Sequence, residues 1–364
     1  MNYRLTTILG REAVGNDKTE VIDLNLVDPV SQFQIVYEST GVGSGDADGH
    51  VAKCITKIEL VDGSDVLFSL SGQECQAVDF YHRGKEPGNL NFNLAGTEGW
   101  WMFNINFGRF LYDPDFAFDP RKFTNPQLKI TIDLDAGGVQ SVAGFLTVNA
   151  HIFDEKAVTP EGFLMHKEIV NYGMGPASHE YIDLPTDYPF RKLFIAAQTY
   201  GVGLEHLIDS IKLSEDNDRK IPFSDSFNNI MRSIIAQSPP FNEQIIAAGG
   251  AADNIFYCTP CFWPTLQATK WASSKNALIL TAYGGDGGRG SVYADTPPGN
   301  YTVLVKGWCP HGAIEIPFGL QEDPADWYDV TKLGSLRLDI LSKAGRSATD
   351  TVQVYLQQLR KYAA

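Results

Sequence analysis

Apolar and polar side chains alternate with a period of two along several segments of this chain. Such alternation is typical of half-buried β-strands, because successive side chains of a strand point to opposite faces. The clearest segments are Gln32–Glu38, Ile55–Leu60, Leu128–Leu134, Phe145–Ile152, Ile208–Leu213, Leu336–Leu341 and Val352–Leu359. The turn Val61–Ser64, which contains Asp and Gly, separates two of these strand-like stretches. The pattern therefore predicts mainly antiparallel sheet.

Two short helices interrupt the strand pattern. Ser71 and Glu74 stand in the Ser-x-x-Glu spacing of a capping box, followed by CQAVDFYHR, so a helix is predicted over 71–82. Ser224 and Asp225 precede FNNIMRSIIAQ, which predicts a second helix over 225–236 with Ser224 as its N-cap.

The chain repeats itself once. Ile22–Gly43 aligns without a gap over Ile182–Gly203, and eight of the 22 positions are identical. Three more pairs of similar blocks follow in the same order: 55–71 with 208–224, 107–122 with 318–332, and 128–132 with 336–340. Two repeats of about 150 residues indicate two copies of one domain. Each copy is predicted to hold about eight antiparallel strands and one helix, which favours a sandwich or a jelly roll.

Three stretches of this sequence resemble a known family. They are ITKIELVDGSDVLFSLSGQECQAVDFY, then FGRFLYDPDFAFDPRKFTNPQLKITI, then EGFLMHKEIVNYG followed by IDLPTDYPFRKLFIAAQ. Their order, together with the duplication, resembles the double jelly-roll major capsid proteins of tailless icosahedral viruses, the tailless bacteriophages in particular. The resemblance covers about residues 19–362.

The resemblance implies an all-β chain of two tandem eight-stranded antiparallel jelly rolls, each with a short helix. The predicted domains are an N-terminal arm at 1–18, a first jelly roll at 19–156 and a second at 157–364. The second jelly roll carries an insertion at about 235–300, which is expected to be an outer-surface loop.

The same resemblance implies a structural function without catalysis. Three chains would form a homotrimeric capsomer with a pseudo-six-fold outline, and many trimers would tile the icosahedral shell of a virion assembled from protein made in the host cytoplasm. The partners implied are neighbouring capsomers, minor capsid, penton or spike proteins, and an internal viral membrane as a further candidate.

Composition and charge narrow the classes of partner. The chain has 364 residues, of which 43% are hydrophobic, and this is typical of a folded protein with a full core. Its formal charge of −15 repels phosphate, so no specific nucleic-acid partner is expected. No apolar run reaches the ~18 residues of a membrane span, and the first residues lack the pattern of a secretory signal.

Five cysteines do not make a disulfide framework, and their odd number predicts free thiols in a reducing compartment. Cys258, Cys261, Cys309 and His311 together are weak candidates for a zinc site. The C-x-H spacing of the second pair is unusual for zinc, so inert thiols in a long loop are the expected interpretation and no metal or cofactor is predicted.

Other motifs offer little chemistry. The G-x-G-x-x-G at Gly285–Gly290 is followed by SVYADTPPG, which is no helix, so a loop is expected there instead of a nucleotide site. Acidic pairs lie at Asp46–Asp48, Asp62–Asp65, Asp113–Asp115 and Glu215–Asp218, where solvated turns are expected and a structural cation such as calcium is the alternative. No recognised catalytic motif accompanies the seven scattered histidines.

Tryptophans supply the candidate contacts between subunits. Trp100 and Trp101 are adjacent in a predicted strand, so one faces the core and the other faces away from it. We expect Trp101, with Trp263 and Trp271 of the insertion, to contact other subunits, because aromatic side chains are enriched at interfaces.

Two other functions remain alternatives at this point. The first is a carbohydrate-binding or carbohydrate-active protein built from two jelly rolls, which as an enzyme would need two carboxylates across a cleft. The second is a minor virion spike, against which the full-length duplication argues.

Overall fold

The computed structural model describes residues 1–41, 49–93, 97–138, 141–247, 254–270, 278–293 and 300–363. Strands dominate this part of the chain, and the alternating segments of the sequence fall on them. The structure consists of two β-barrels side by side and a smaller β-structure that is inserted in the second.

The first barrel is built from two sheets. The strands of this half are β1 (Tyr3–Val14), β2 (Lys18–Asp23), β3 (Val30–Gly41), β4 (Ile55–Asp62), β5 (Asp65–Leu70), β6 (Asn91–Asn93), β7 (Glu98–Asn106), β8 (Pro126–Ile132) and β9 (Ser141–Phe153). One sheet has the order β1-β9-β3-β7 and the other contains β2-β8-β4-β5. Apolar side chains such as Phe33, Ile58 and Phe103 fill the space between the two sheets.

The second half repeats this arrangement. Its strands are β10 (Gly162–Gly173), β11 (His179–Asp183), β12 (Phe190–Gln198), β13 (Ile208–Glu215), β14 (Lys220–Ser226), β15 (Phe241–Ala247), β16 (Asn254–Tyr257), β17 (Pro260–Lys270), β18 (Leu278–Leu280), β19 (Ala282–Gly284), β20 (Arg289–Val292), β21 (Tyr301–Pro310), β22 (Ala313–Pro317), β23 (Leu336–Ser342) and β24 (Thr351–Lys361). The barrel sheets have the orders β10-β24-β12-β22 and β11-β23-β13-β14.

The two barrels have the same strand connectivity. We number the eight barrel strands of each half in chain order, leaving out β6 and β15 to β21. Both halves then have one sheet of order 1-8-3-6 and one of order 2-7-4-5. Ile22 in β2 and Ile182 in β11, which begin the aligned sequence blocks, are both buried at the same place in their barrels. This is the antiparallel order of a jelly roll, so the predicted fold class is confirmed.

A continuous sheet joins the two barrels. β5 of the first barrel runs parallel to β10 of the second, with Phe68 beside His166 and Ser69 beside Lys167. Arg360 in β24 reinforces the junction through an Asp65 carboxylate oxygen 2.9 Å from its Nη1. Backbone pairing across this junction holds the barrels in one relative orientation.

Each barrel has one α-helix after its fifth strand. α1 (Gly72–Arg83) begins with the predicted capping box, in which Ser71 Oγ accepts from the Glu74 N–H and Glu74 Oε2 accepts from the Ser71 N–H. α2 (Phe227–Ile235) is capped by Ser226, not by Ser224 as predicted. Ser224 still belongs to β14, because pairing with β13 continues as far as Ser226.

The insertion is folded, which corrects the expectation of a long loop. β15 to β21 form one sheet of order β18-β17-β21-β15-β6 and a smaller one of order β16-β20-β19. β6 comes from the first barrel and runs parallel to β15, so both halves contribute to the larger sheet. The glycine-rich segment Gly285–Gly290 connects β19 to β20, and the Gly285 N–H donates to the Arg289 carbonyl across 2.7 Å.

Residues 1–18 were predicted as an arm, and this is also corrected. β1 is an edge strand of the first barrel and pairs with β9 from Tyr3–Phe153 to Val14–Gly144. Register irregularities between Thr7 and Glu12 interrupt the pairing. Because such bulges move the following side chains to the other face of the strand, residues 3–14 show no regular alternation of apolar and polar residues. Within the described ranges no helix is long and apolar enough to cross a membrane.

Candidate assembly site

A buried lysine of the second barrel contacts the helix of the first. Lys192 in β12 is 4% exposed and donates to the Tyr81 carbonyl of α1 across 2.9 Å. Its ammonium group also pairs with Glu315 of β22 at 2.5 Å. Burial lowers the pKa of Lys192, while Glu315 counteracts that shift. Removing either partner would leave a buried charge without compensation, which is strongly destabilising.

Arg191 is buried beside this pair and is held largely by neutral groups. Its guanidinium donates to the Gln321 carbonyl at 3.1 Å and to Gln357 Oε1 at 3.2 Å. Its Nη1 lies 3.1 Å from His82 Nδ1 of α1, and its guanidinium carbon lies 5.5 Å from the ring centre of Trp327. Burial and the nearby cation depress the pKa of His82 well below its usual range, so this histidine stays neutral.

Two carboxyl groups meet at the same junction. Glu74 of α1 is 1% exposed, and among the described residues its Oε1 has no hydrogen-bond partner. Burial and the carboxylate of Glu168 in β10 raise the pKa of Glu74 from 4.5 to about 8. A proton on Glu74 therefore persists at neutral pH, which avoids two ionised carboxylates side by side in a buried site. Tyr355 of β24 is paired with Glu168 in the register of the sheet.

A second polar cluster attaches the insertion to the first barrel. Glu243 of β15 has a side chain that is 3% exposed, and it accepts from the Thr259 N–H at 2.7 Å and from the Thr259 hydroxyl at 3.0 Å. Asn91 of β6 donates to the same carboxylate. His50 Nε2 lies 3.3 Å from the Thr259 hydroxyl. These contacts position the insertion over the barrel and bring no reactive group to the surface.

The weak zinc candidates lie near this cluster. Cys258, Cys261 and Cys309 are fully buried free thiols in or next to β17 and β21. Burial raises the pKa of Cys261 to about 12 and raises that of the other two as well, so the thiols stay protonated. Cys258 Sγ donates to the Pro260 carbonyl at 3.5 Å. In the part of the chain that the structure describes, no three metal-ligating side chains are grouped for a metal ion.

The fourth zinc candidate, His311, uses both ring nitrogens within the protein. Nε2 lies 3.0 Å from Gln76 Oε1, and Nδ1 lies 3.2 Å from Gln73 Nε2. Burial, together with His50 and Lys53, places the pKa of His311 well below its usual value. The side chain therefore joins the turn between β21 and β22 to α1.

The acidic pairs that lie in described residues are engaged by protein groups. The Asp62 carboxylate accepts the backbone N–H groups of Thr124 and Asn125. The others form ion pairs, which are Asp65–Arg360, Asp113–Arg109, Asp115–Arg109, Glu215–Lys220 and Asp218–Lys212. The pair Asp46–Asp48 lies outside the described residues.

The tryptophans differ from the prediction at one position. Trp101 is 2% exposed and packs in the core of the first barrel, so its assignment to a subunit contact is wrong. Its neighbour Trp100 is 38% exposed and is the member of the pair that faces outward. Because successive side chains of a strand point to opposite faces, only one of the two adjacent tryptophans could face the core. The alternation did not determine which one. Trp271 lies outside the described residues.

Trp263 is 73% exposed, the most exposed large apolar side chain among the described residues. It has a φ of 46°, which a side chain with a Cβ rarely adopts, and it lies at a bulge where the pairing of β17 with β21 shifts between Phe262 and Thr265. A strained backbone that holds a bulky ring in solvent is a sign of function. Of the tryptophans predicted to contact other subunits, Trp263 is the one that the described residues place in solvent.

Sequence reasoning missed the buried charges of the junction. Arg191 and Lys192 lie in FRKLF, where adjacent cations normally indicate a solvent-exposed strand. Both are buried because β12 lies between β24 and β22 and is covered by α1 and by the connection after β22. The one available signal was the aligned duplication, which placed this strand inside a barrel.

No protein-family profile and no curated protein matches the chain by sequence. Solved structures do match over nearly the whole length. The Sulfolobus Turreted Icosahedral Virus structure matches with a TM-score of 0.62 and 10% sequence identity. The match covers 100% of this chain and 92% of the viral chain. The major capsid protein P2 from Bacteriophage PM2 gives 0.52 at 12% identity and covers 99% and 98%.

The PBCV-1 virus capsid gives a TM-score of 0.56 at 11% identity and covers 98% of this chain and 94% of its own. These likenesses define the class of fold, which is the double jelly roll. More particularly, this chain shares its fold with the major capsid protein P2 from Bacteriophage PM2, so the fold that the resemblance implied is confirmed.

Proposed function

We propose that this chain is a major capsid protein that self-assembles as pseudo-hexameric trimers into the icosahedral shell of a virion. The observation that carries the proposal is the pair of barrels with one strand connectivity, joined through β5 and β10. A chain with two similar lobes gives a trimer with six, and a tile of hexagonal outline is suited to a closed symmetric shell.

The interior of the molecule supports a structural role. The buried polar groups at the junction and under the insertion bond to one another and hold the lobes in place. The solved structures with this fold are capsid components. The proposed activity is therefore assembly, not catalysis.

The partners follow from this role. The first partner is a second copy of the chain, then neighbouring capsomers. Minor capsid, penton or spike proteins and an internal membrane remain predictions of the resemblance. The charge of −15 favours neither a specific nucleic-acid contact nor close packing against phosphate groups.

Mass in solution tests the proposal directly. Purified protein analysed by sedimentation velocity and light scattering is expected to have three times the 40.1 kDa mass of the chain. Negative-stain images of that species are expected to show a hexagonal outline with six similar lobes. A protein that remains monomeric up to high micromolar concentration would contradict the proposal.

A further inference from the structure

The two barrels leave one pair of equivalent sheet edges uncovered. Within the chain β5, the fifth strand of the first barrel, pairs parallel with β10, the first strand of the second, and this pairing is called here the intrachain junction. The fifth strand of the second barrel is β14 and the first strand of the first barrel is β1, and each of them ends its sheet. In the part of the chain that the structure describes, neither has a strand on its outer side. The fold therefore contains one junction of this kind and the two edges for a second.

Strand pairing identifies the residues of β1 that correspond to those of β10. The aligned strands β3 and β12 pair with β9 and β24, which pair in turn with β1 and β10. The equivalent rows are Phe33–Ala150–Thr6 and Leu193–Leu356–Lys167. Thr6 is therefore the counterpart of Lys167, and Leu5 is that of His166. Both strands have a bulge at the same place, between Thr7 and Leu9 in β1 and between Glu168 and Val170 in β10.

Strand pairing also matches β14 to β5. The equivalent pairs across the preceding turn are Leu60–Phe68 and Leu213–Phe223. Phe223 is therefore the counterpart of Phe68, and Ser224 is that of Ser69. The N-cap residues of the helices that follow coincide in this alignment, and they are Ser71 and Ser226.

Apolar side chains that are covered at the intrachain junction have exposed counterparts at the two free edges. Phe68 and His166 are each 1% exposed, and their ring centres lie 5.6 Å apart across the junction. Leu5, the counterpart of His166, is 55% exposed. On β14, Ile221 is 46% exposed and Phe223 is half-buried. A free edge with exposed apolar side chains is a template for pairing with another chain, and both free edges have them.

The ion pair of the intrachain junction has counterparts with both charges exchanged. Arg360 pairs with Asp65 across the junction. Lys220 corresponds to Asp65, because each pairs with the last residue of the preceding strand. Asp154 corresponds to Arg360, with β9 in the place of β24. Reversal of one charge alone would place like charges together. Because both are reversed, an ion pair is retained where the β14 edge meets the β1 edge.

Lys220 and Asp154 are accessible for this contact. The Lys220 side chain is 67% exposed, and its Nζ lies 3.0 Å from Glu215 of its own chain. The Asp154 side chain is 28% exposed and lies 3.6 Å from Arg4. An ammonium group has three donors and a carboxylate has several acceptor positions, so each side chain can keep its present partner and gain another.

The buried carboxyl pair of the junction has a neutral counterpart. Glu74 of α1 lies beside Glu168 of β10. The residue at the same distance from the cap of α2 is Asn229, and the counterpart of Glu168 in β1 is Thr7. Both are exposed. An amide and a hydroxyl can hydrogen-bond to each other in their neutral forms, so contact between these edges needs no change of protonation.

We propose that β14 of one chain pairs parallel with β1 of a second copy, and so repeats between chains the junction that β5 and β10 form within one. The expected register places Phe223 beside Leu5 of the second copy and Ser224 beside its Thr6. The contact joins two different edges and is therefore heterologous, and such contacts form a closed ring when the rotation between copies closes. The inference rests on the proposed trimer and adds which strands hold it together.

Cysteine crosslinking tests the register. Thr6→Cys together with Ser224→Cys places two thiols opposite each other on adjacent strands, about 5 Å apart, a Cα separation that a disulfide accepts. The five native cysteines are buried and free. Mild oxidation is expected to give reducible dimers and trimers on a non-reducing gel and nothing larger, because three disulfides close the ring.

The matched control moves one of the two thiols to another edge. Thr19 is an exposed threonine of β2, which ends the other sheet of the first barrel. Thr19→Cys together with Ser224→Cys is expected to give no more crosslinked product than Ser224→Cys alone.

A charge on the apolar edge tests the affinity. Leu5→Glu is expected to raise the concentration at which the trimer dissociates roughly ten-fold or more in sedimentation equilibrium, because an unpaired charge is costly at an interface. Val21 of β2 is 52% exposed, close to the 55% of Leu5, so Val21→Glu adds the same charge at a similar position and is expected to leave the trimer intact.

The outcomes separate this inference from the proposed function. If the wild-type protein is trimeric, but the Thr6 and Ser224 pair crosslinks no more than its control and Leu5→Glu assembles as Val21→Glu does, another surface holds the trimer. The inference is then overturned while the capsid proposal stands. A wild-type protein that is already monomeric would overturn the proposed function itself, and this inference with it.

Discussion

The two helices occupy the same position in barrels of the same connectivity, yet their surroundings differ. α1 buries polar side chains as completely as apolar ones, with Glu74 at 1% and Gln76 and Asp79 at 0% exposure. α2 buries only Phe227 and Met231 in the part of the molecule described.

The difference arises from the connection that follows α2. In the second barrel this connection contains the insertion, whose last strand β21 passes α1 and continues into β22. α1 is therefore enclosed between the barrels, whereas α2 contacts strands of its own barrel. The two helices are equivalent through the duplication, but only α1 is buried between the two barrels.

The largest expected effect comes from removing the acid at the centre of α1. The Asp79 carboxylate accepts from Asn104 Nδ2 at 2.9 Å, Asn106 Nδ2 at 2.8 Å and Arg83 Nε at 2.7 Å. Asp79→Ala leaves these donors without a partner in a buried site. We expect a loss of about 3–5 kcal/mol in the free energy of unfolding, measured by urea denaturation with fluorescence detection.

The matched variant in α2 is Asp225→Ala. Asp225 precedes the helix in an exposed position and accepts from the Ser226 N–H at 2.6 Å and from Asn229. We expect a much smaller loss than for Asp79→Ala, because water replaces these contacts. Equal losses in the two helices would show that α1 is not the more deeply integrated one.

The second prediction concerns pH. Folding raises the pKa of Glu74 from 4.5 to about 8, so the folded state favours its protonated form. Stability is then lost as pH rises from 4.5 to about 8, and the loss levels off at higher pH. Glu74→Gln keeps an acceptor for the Ser71 N–H and removes the charge. Its stability relative to wild type is expected to increase by roughly 2–4 kcal/mol between pH 5 and pH 9.

Urea denaturation at several pH values measures this change, and the exposed Glu180 of β11 provides the control. Glu180→Gln, measured in the same way, controls for the removal of one carboxylate from the surface. A Glu74→Gln profile parallel to wild type would indicate that Glu74 ionises normally beside Glu168.

The smallest expected effect compares the two helix caps. Ser71 Oγ and Ser226 Oγ each accept from the backbone N–H three residues later, both at 3.3 Å. Ser→Ala at an N-cap costs about 1 kcal/mol. We expect Ser71→Ala to exceed Ser226→Ala by a few tenths of a kcal/mol, because the cap of α1 is part-buried and that of α2 is exposed. Thermal unfolding of both variants measures the difference, and the opposite order would contradict it.

Sequence patterns predicted those parts of the fold in which local and tertiary preferences agree. Alternation placed the barrel strands, and the capping box at Ser71 and Glu74 located α1. The cap of α2 was displaced by two residues, since strand pairing of β14 overrode the local signal. Strand β1 was missed because bulges in its pairing with β9 broke the alternation.

The candidate assembly site was only partly predictable. Trp263 was predicted as a contact residue because it is an aromatic residue in an insertion, and the structure exposes its side chain to solvent. Trp101 was assigned to the wrong face because alternation shows that Trp100 and Trp101 face opposite sides but not which of them faces the core.

By itself, the sequence determined that this protein is β-rich, duplicated and acidic. The alternation of apolar and polar residues, the internal repeat and the net charge can all be read from the order of the residues. The tertiary structure alone decided that the insertion forms a sheet and that Arg191, Lys192 and Glu74 are buried between the barrels. These properties depend on which distant strands become neighbours. That choice is made by the summed packing of the whole chain, which no short segment encodes.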